Sequence, residues 1–233
     1  MNSAGWLSPS GGAVWHLRAL RRRRYWAGFI SHIGAWLESW QHRCSGLLLL
    51  GPSAGWCLPD RFLGSFSRIH AVDIDPVAPW VFGLLHGRTL RRSGTLLTWQ
   101  RADLFAELEH LLQAYPEHAI LFANVLGQRA LHQCGPGVAE AELGALSLRL
   151  AGRRWASFHD RLSGHWPRDR PMPLPIRLAA AESAQALARR VSGSGEWCDH
   201  LTTHILPADW PRLILPWPIG PGRVHWIEAG YIV

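Results

Sequence analysis

The stretch LLLLGPSAGW, residues 47–56, runs four leucines directly into a turn of small residues. A short, fully apolar run that ends at turn residues predicts a buried strand. The small residues after it favour a loop whose backbone approaches a ligand closely, because glycine carries no Cβ. The same letters also fit the G-x-S-x-G elbow, which would present Ser53 as a nucleophile. A plain turn at the end of a strand is the third interpretation.

Strand and helix patterns alternate along the rest of the chain. Strands are predicted at 47–50, 68–75, 95–103, 118–128 and 153–164, and helices at 58–66, 76–90, 104–115, 136–153 and 177–191. Five such alternations predict an α/β fold with a doubly wound, mostly parallel sheet. The last stretch, 212–233, predicts two antiparallel strands around a Gly-Pro-Gly turn. This C-terminal hairpin completes a predicted sheet of seven strands.

Both ends of the chain add to this scheme. Apolar residues recur at helical spacing between 13 and 43, so residues 1–45 are predicted to form a tail and a helical cap. Residues 46–233 then form one α/β domain. Because proline cannot donate to a strand ladder, Pro216 and Pro218 place the first strand of the hairpin at the sheet edge.

Composition excludes several functions. The chain has 233 residues, 48% of them hydrophobic, which suits one sizeable core. All 24 basic residues are arginine, which excludes a lysine Schiff base and a Walker-type phosphate lysine. The cysteines at 44, 57, 134 and 198 are far apart, so neither a zinc ribbon nor a redox pair is indicated. No run of about 18 uncharged apolar residues occurs, and no secretion signal is visible, so we expect a cytoplasmic protein without a membrane span.

The five strand–helix units, the terminal hairpin and the small-residue turn after the first strand resemble the class I S-adenosylmethionine-dependent methyltransferases, which have a Rossmann-like fold. The resemblance covers residues 46–233. It implies that Gly51, Ser53 and Gly55 lie along the methionine part of S-adenosylmethionine. It also implies that Asp73, which ends the second strand 22 residues after Gly51, accepts hydrogen bonds from the ribose hydroxyls.

Two further positions follow from the same resemblance. Asp103, after the third strand, would lie against the adenine amino group, and Asn124, at the end of the fourth, would lie between cofactor and acceptor. Asp75 is the weaker candidate for the ribose, because it also suits a cap on the helix that starts near Pro76. The sequence departs from the family in lacking an acidic residue before the loop and an Asn/Asp-Pro-Pro-Tyr motif.

The acceptor side is predicted at SFHDRLSGHW, residues 157–166, which ends the fifth strand. His159 would remove a proton from the acceptor, with Asp160 orienting it and Asn124 positioning the acceptor. The alternative is a strand-end histidine beside an Asp160–Arg161 pair. His225 and Glu228 are three residues apart in a strand, which puts them on opposite faces.

No metal site is expected. His200 and His204 are four residues apart, but the neighbouring threonines favour a polar loop over a metal-binding helix. The sequence thus predicts a methyltransferase that binds S-adenosylmethionine and methylates a small molecule, with nucleic acid and peptide acceptors left open. A serine hydrolase that uses Ser53 and a non-catalytic cofactor-binding protein are the alternatives.

Overall fold

A computed structural model describes residues 12–128, 136–192 and 196–233. Contacts between Cα atoms divide the chain into two compact units, residues 1–121 with 233, and residues 122–232. The predicted boundary between residues 45 and 46 stays a prediction, and Cys134 lies outside the described residues. The helices are α1 Gly12–Arg22, α2 Ala27–Ser39, α3 Asp60–Leu63, α4 Ala78–Ser93, α5 Leu104–Ala114, α6 Pro136–Gly144, α7 Leu146–Arg149 and α8 Ala184–Ser192.

Nine strands occur in the described residues, where the sequence predicts seven. They are β1 Gly46–Leu50, β2 Arg68–Asp73, β3 Leu96–Arg101, β4 Ala119–Ala123, β5 Trp155–His165, β6 Ile176–Leu178, β7 Trp197–Asp199, β8 Arg212–Gly220 and β9 Arg223–Ile232. The α/β class is confirmed. The pairing is mixed, with parallel and antiparallel neighbours.

The first unit is built on parallel strands in the order β3-β2-β1-β4. Strand β1 pairs in parallel with β2, and β2 pairs in parallel with β3. All five residues of β1 are buried, as the leucine run predicts. The ladder continues one residue past the strand, where the Gly51 N–H donates to the Val72 carbonyl over 2.9 Å. The loop of interest therefore starts directly at the carboxyl end of a core strand.

The N-terminal helices belong to this unit. Helix α2 buries one face through Phe29, Ile33, Trp36 and Leu37. Its tryptophan is part of the core, as the helical spacing predicts. None of the helices in the described ranges combines the length and the apolar character needed to cross a membrane.

The second unit is mainly antiparallel. Strand β9 pairs with β5 on one side and with β8 on the other, and the predicted hairpin of β8 and β9 is confirmed. Short strand β7 pairs with β5, and β6 pairs with β8. The register of β5 against β9 shifts between Asp160 and Leu162, which makes a β-bulge at Arg161.

Two predictions about this unit need correction. The sequence predicts helix and loop for the segments of β6 and β7, because strands of three residues are too short to show a period-2 pattern. Strand β8 is not an edge along its whole length, because β6 covers residues 212–214. Pro216 and Pro218 lie beyond that pairing, where the missing N–H groups remove no bond to β6.

Candidate cofactor and acceptor sites

The loop after β1 is wound into an unusual backbone conformation. Gly51, Ser53 and Gly55 have φ angles of 64°, 49° and 69°. The left-handed region is costly for a residue with a Cβ, so Ser53 is held there by its surroundings. The Gly55 N–H donates to the Pro52 carbonyl over 2.9 Å, which closes the turn. The loop is thus a compact turn at the carboxyl end of a parallel strand, where ligands bind in open α/β sheets.

Gly55 has a packing role in the structure, and its predicted contact with the methionine part of the cofactor stays a prediction. A Cβ built on it would lie 2.7 Å from Cε2 of Phe82 and 2.8 Å from Nε2 of His86. Both residues belong to α4, and the His86 Nε2 is also 3.1 Å from the Gly55 carbonyl oxygen. The glycine therefore allows close packing of α4 on the loop, and close approach to a ligand is not needed to explain it.

Asp73 fastens the loop to the end of β2. Its Oδ2 accepts the Ser53 N–H over 2.7 Å, and its Oδ1 accepts the Asp75 N–H over 2.8 Å. Burial raises the pKa of the Asp73 carboxyl, and the two backbone donors oppose that rise without cancelling it. Each carboxylate oxygen has a second lone pair, so hydroxyl donors can still bind here.

Ser53 is poorly placed for nucleophilic catalysis. Its Oγ is buried and, within the described part of the chain, has no hydrogen-bond partner. A serine nucleophile needs a base within hydrogen-bond reach. The elbow also requires a helix directly after the turn, and α3 begins only at Asp60. The structure thus shows a buried hydroxyl on a constrained turn, with no base bonded to it in the described part of the chain.

Asp75 connects the end of β2 to the N-terminal helix. Its Oδ1 accepts the Val77 N–H over 2.8 Å, one residue before α4, as a capping role predicts. Its Oδ2 accepts the Gly12 N–H over 2.7 Å and lies 3.1 Å from Nε2 of His16. Burial alone would raise the pKa of Asp75. The hydrogen bonds from His16, Val77 and Gly12 lower the pKa by more than burial raises it, so the net shift is downward.

His16 completes a chain of hydrogen bonds that the sequence did not predict. Trp56, directly after the loop, donates its indole N–H to Nδ1 of His16 over 3.1 Å. Because Nδ1 accepts this bond, the other nitrogen carries the proton in the neutral ring and donates to Asp75. These contacts join residues 40 and 59 positions apart, which local patterns do not reveal.

Asp103 has a capping role in the structure. Its side chain accepts the Phe105 N–H over 2.9 Å at the start of α5. An N-cap of this kind satisfies one of the free donors of the helix. The contact with an adenine amino group stays a prediction.

In the second unit, the structure brings Asn124 and Asp160 together. Asn124 has a φ angle of 58°, and its N–H donates to the Phe158 carbonyl over 2.7 Å. Its Nδ2 donates to Oδ2 of Asp160 over 3.4 Å, while its Oδ1 is buried and has no partner among the described residues. A polar group is thus held at the end of β4 with an acceptor atom unused.

His159 lies in a different environment from the one predicted. Its side chain is fully buried, with Nδ1 2.8 Å from the Ser157 Oγ and Nε2 3.9 Å from Oε1 of Glu228. Burial and the charge of Arg161 lower the pKa of His159 to about 3. In the described residues, the Asp160 side chain makes no hydrogen bond to His159 and bonds another histidine instead.

That residue is His225, which the sequence did not single out as a site. Its Nδ1 is 2.6 Å from Oδ1 of Asp160. The alternative Asp160–Arg161 pair does not form either, because Arg161 donates to Asp199 over 2.8 Å. Glu228 faces the cluster of Arg161, Arg212 and His159, so the prediction that His225 and Glu228 occupy different sites is confirmed.

His200, in the segment after β7, makes hydrogen bonds in the same unit. Its Nε2 is 3.0 Å from the Ser163 Oγ, and its Nδ1 is 3.3 Å from the Gly127 carbonyl oxygen. Residues 200–204 are not helical, so His200 and His204 do not share a helix face. The polar-loop interpretation of this segment agrees with the structure.

Comparisons with known proteins give matches in structure alone. No protein-family model matches the chain, and no curated protein sequence is significantly similar to it. Among solved structures, the N-methyltransferase NodS from Bradyrhizobium japonicum WM9, in complex with S-adenosyl-L-homocysteine, is 14% identical, with 86% of this chain and 85% of that chain covered and a TM-score of 0.41.

Two further matches have similar values. Magnesium protoporphyrin IX methyltransferase ChlM from Synechocystis PCC 6803, with bound S-adenosylmethionine, is 14% identical over 86% of this chain and 77% of that chain, with a TM-score of 0.42. An RNA methyltransferase from Salinibacter ruber, in complex with S-adenosyl-L-homocysteine, is 16% identical over 63% of this chain and 83% of that chain, with a TM-score of 0.36. The solved structures that match this chain thus include S-adenosylmethionine-dependent methyltransferases, the enzyme class that its sequence resembles.

Proposed function

We propose that this protein is an S-adenosylmethionine-dependent methyltransferase and that its first unit binds the cofactor. The observation that carries the proposal is the 51–55 loop at the carboxyl end of β1. It has three positive φ angles and is fixed by the bond from the Ser53 N–H to Asp73. A turn of this kind, followed by an acidic residue at the end of the next strand, is typical of a nucleotide-type cofactor site.

The polar atoms of this loop suit the cofactor. The buried Ser53 Oγ has no protein partner in the described residues and can bond the amino or carboxylate group of the methionine part. Asp73 keeps lone pairs for two ribose hydroxyls, and Gly51 presents a backbone without a Cβ. When bound, the cofactor supplies a methyl group on a positively charged sulfur, which needs no lysine or metal to react. The protein has to position the acceptor and remove its proton.

We infer a catalytic protein and not a binding protein alone from the second unit. Asn124, Asp160 and His225 form a connected polar group there. A protein that only stored the cofactor would not need a histidine held by a buried carboxylate.

Isothermal titration calorimetry with S-adenosylmethionine and S-adenosyl-L-homocysteine tests this proposal directly. We expect dissociation constants near the micromolar range, which correspond to a binding free energy of about −8 kcal/mol. The matched control is Asp169→Asn, an exposed carboxylate in the second unit, which should bind like the wild type. If neither ligand gives heat or a thermal shift with folded protein, the proposal is wrong.

A further inference from the structure

The second unit holds a histidine–aspartate pair in which the aspartate is buried and the histidine is partly exposed. Oδ1 of Asp160 is 2.6 Å from Nδ1 of His225. The Asp160 side chain is 7% exposed and that of His225 is 26% exposed. An ionised carboxylate only accepts hydrogen bonds, so it keeps the proton of the neutral imidazole on Nδ1. The lone pair of Nε2 is then available to take a proton.

Several contacts fix Asp160 in this position. Asn124 donates to its Oδ2, and the Thr202 hydroxyl donates to its backbone carbonyl over 2.9 Å. Gly127 packs so closely that a Cβ on it would lie 2.8 Å from the Asp160 Cβ. Burial raises the pKa of Asp160, but the bond from His225 and nearby histidine charges lower it more, so the net shift is downward. The carboxylate therefore stays ionised at neutral pH.

His225 lines a cleft of about 700 Å³ in this unit. Trp197 lines the cleft, and its ring packs so closely on Gly164 of β5 that a Cβ there would lie 2.7 Å from its Cε3. Arg223 also lines the cleft and supplies positive charge. The titratable and charged groups around His225 are Asp160 from β5, His200 at 5.9 Å between ring centroids, and His165, Glu196, Cys198 and Arg223 around the cleft.

We propose that His225 is the general base of the reaction, that Asp160 is its positioning residue, and that the cleft binds an aromatic acceptor through a phenol-type hydroxyl. The inference rests on the methyltransferase function proposed above. The O–H bond of the acceptor breaks, its proton forms an N–H bond at Nε2 of His225, and the electron pair stays on the acceptor oxygen. The resulting imidazolium is balanced by Asp160, and Arg223 attracts the oxyanion.

The chemistry of the pair favours a hydroxyl over an amine. A neutral amine attacks with its own lone pair and loses its proton afterwards, so a base contributes little to the attack. A hydroxyl is a weak nucleophile until its proton is removed, and a positioned base contributes roughly 10²–10⁴ in rate. The Trp197 ring in the lining suits an aromatic acceptor, since aromatic pairs attract each other beyond the burial of their surface.

The probe for this inference is 4-nitrophenol, whose ionised form is yellow. At a pH below the pKa of the free probe, adding wild-type protein should produce the nitrophenolate absorbance, saturating with probe concentration. His225→Gln removes the base and should reduce this absorbance at least tenfold. His110→Gln, on the exposed face of α5, is the matched control and should behave like the wild type.

Asp160→Asn tests the positioning role through a pH profile. Without the carboxylate, the imidazolium loses its balancing charge, so ionisation of the bound probe should need a higher pH. If Asp160→Asn does not fold, His225→Gln alone decides, because that side chain is partly exposed and its replacement leaves the core intact. Absence of nitrophenolate with wild-type protein, or unchanged absorbance with His225→Gln, would overturn the inference.

Cofactor calorimetry on the same proteins separates the two proposals. His225→Gln should bind S-adenosylmethionine with wild-type affinity while losing the probe signal. If the wild type shows the probe signal but binds no cofactor, the base site stands and the methyltransferase function fails.

Discussion

At the scale of single residues, Asp73 has two roles. It holds the loop through the Ser53 N–H, and in the proposed function it also accepts the ribose hydroxyls. Hydrogen bonds to a charged group contribute roughly 1.5–3 kcal/mol each, so Asp73→Asn should lower cofactor affinity at least tenfold. Calorimetry with S-adenosyl-L-homocysteine measures the change. Wild-type affinity in a folded Asp73→Asn protein would remove this residue from the site.

The reactivity of Ser53 distinguishes a serine hydrolase from a methyltransferase. Because its Oγ is buried and has no base beside it in the described residues, we expect no labelling by a fluorophosphonate probe. Ser53→Ala should fold normally, since it removes only a hydroxyl without a partner. Mass spectrometry of probe-treated protein makes the measurement. Labelling of Ser53 by the probe would favour the serine hydrolase interpretation over the methyltransferase.

Gly55 should tolerate no side chain. Gly55→Ala would place a methyl group 2.7 Å from Phe82 and hold alanine at a φ angle of 69°. Overpacking and left-handed strain each cost about 1–3 kcal/mol, so we expect a loss of roughly 2–6 kcal/mol in the free energy of unfolding. Gly28→Ala in α2 is the control, because nothing lies within 4 Å of its Cβ position. Urea unfolding compares the two, and an equal stability of both variants would contradict the packing argument.

At the scale of elements, helix α1 is held by a few polar contacts. The bonds among Trp56, His16 and Asp75 join it to the turn after β1 and to the end of β2. His16→Ala should therefore loosen α1 while the parallel strands stay folded. A bond to a charged group contributes roughly 1.5–3 kcal/mol, so local opening should rise at least about tenfold.

Limited trypsin digestion measures this opening, because Arg21, Arg23 and Arg24 are exposed cleavage sites at the end of the helix. We expect cleavage in this run to be at least about tenfold faster in His16→Ala than in the wild type. His110→Ala on α5 is the control. Equal cleavage rates in all three proteins would show that the histidine does not hold the helix.

The elements differ in how well their sequences predict them. Strand β1 is apolar enough, and helix α5 long enough, for the local sequence pattern to determine the secondary structure. Both occur where expected. Strands β6 and β7 are stabilised by their neighbours β8 and β5, which no local pattern reports. Helix α3 is only four residues long, although its segment predicted nine, because Pro59 delays its start and Gly64 follows its last residue.

At the scale of the whole chain, contacts that follow from strand order can be predicted from the sequence, and contacts that depend on strand register cannot. Asp73 and Ser53 are close because parallel neighbours end together, which follows from strand order. The Asp160–His225 contact spans 65 residues and depends on how β9 lies beside a bulged β5. Register and bulges are tertiary features, so alternation alone did not find this pair.

The burial of His159 couples the stability of the protein to pH. In the folded state its pKa is lowered from 6.5 to about 3, first by desolvation. Between these values the unfolded chain binds one proton more than the folded one at this residue. The free energy of unfolding therefore falls as the pH falls below about 6.5, by about 1.4 kcal/mol per pH unit.

His159→Gln removes this titration while its amide can still bond Ser157. Urea unfolding at about pH 7.5 and about pH 5.5 should show the wild type losing roughly 1.4 kcal/mol more than the variant over that window, since only the range below the unfolded pKa contributes. The difference should be absent above pH 7, where the histidine is neutral in both states. Equal losses in the two proteins would mean that His159 takes up a proton in the folded state, and its burial among Arg161, Arg212 and Glu228 would then have to be relieved by water entering the cluster.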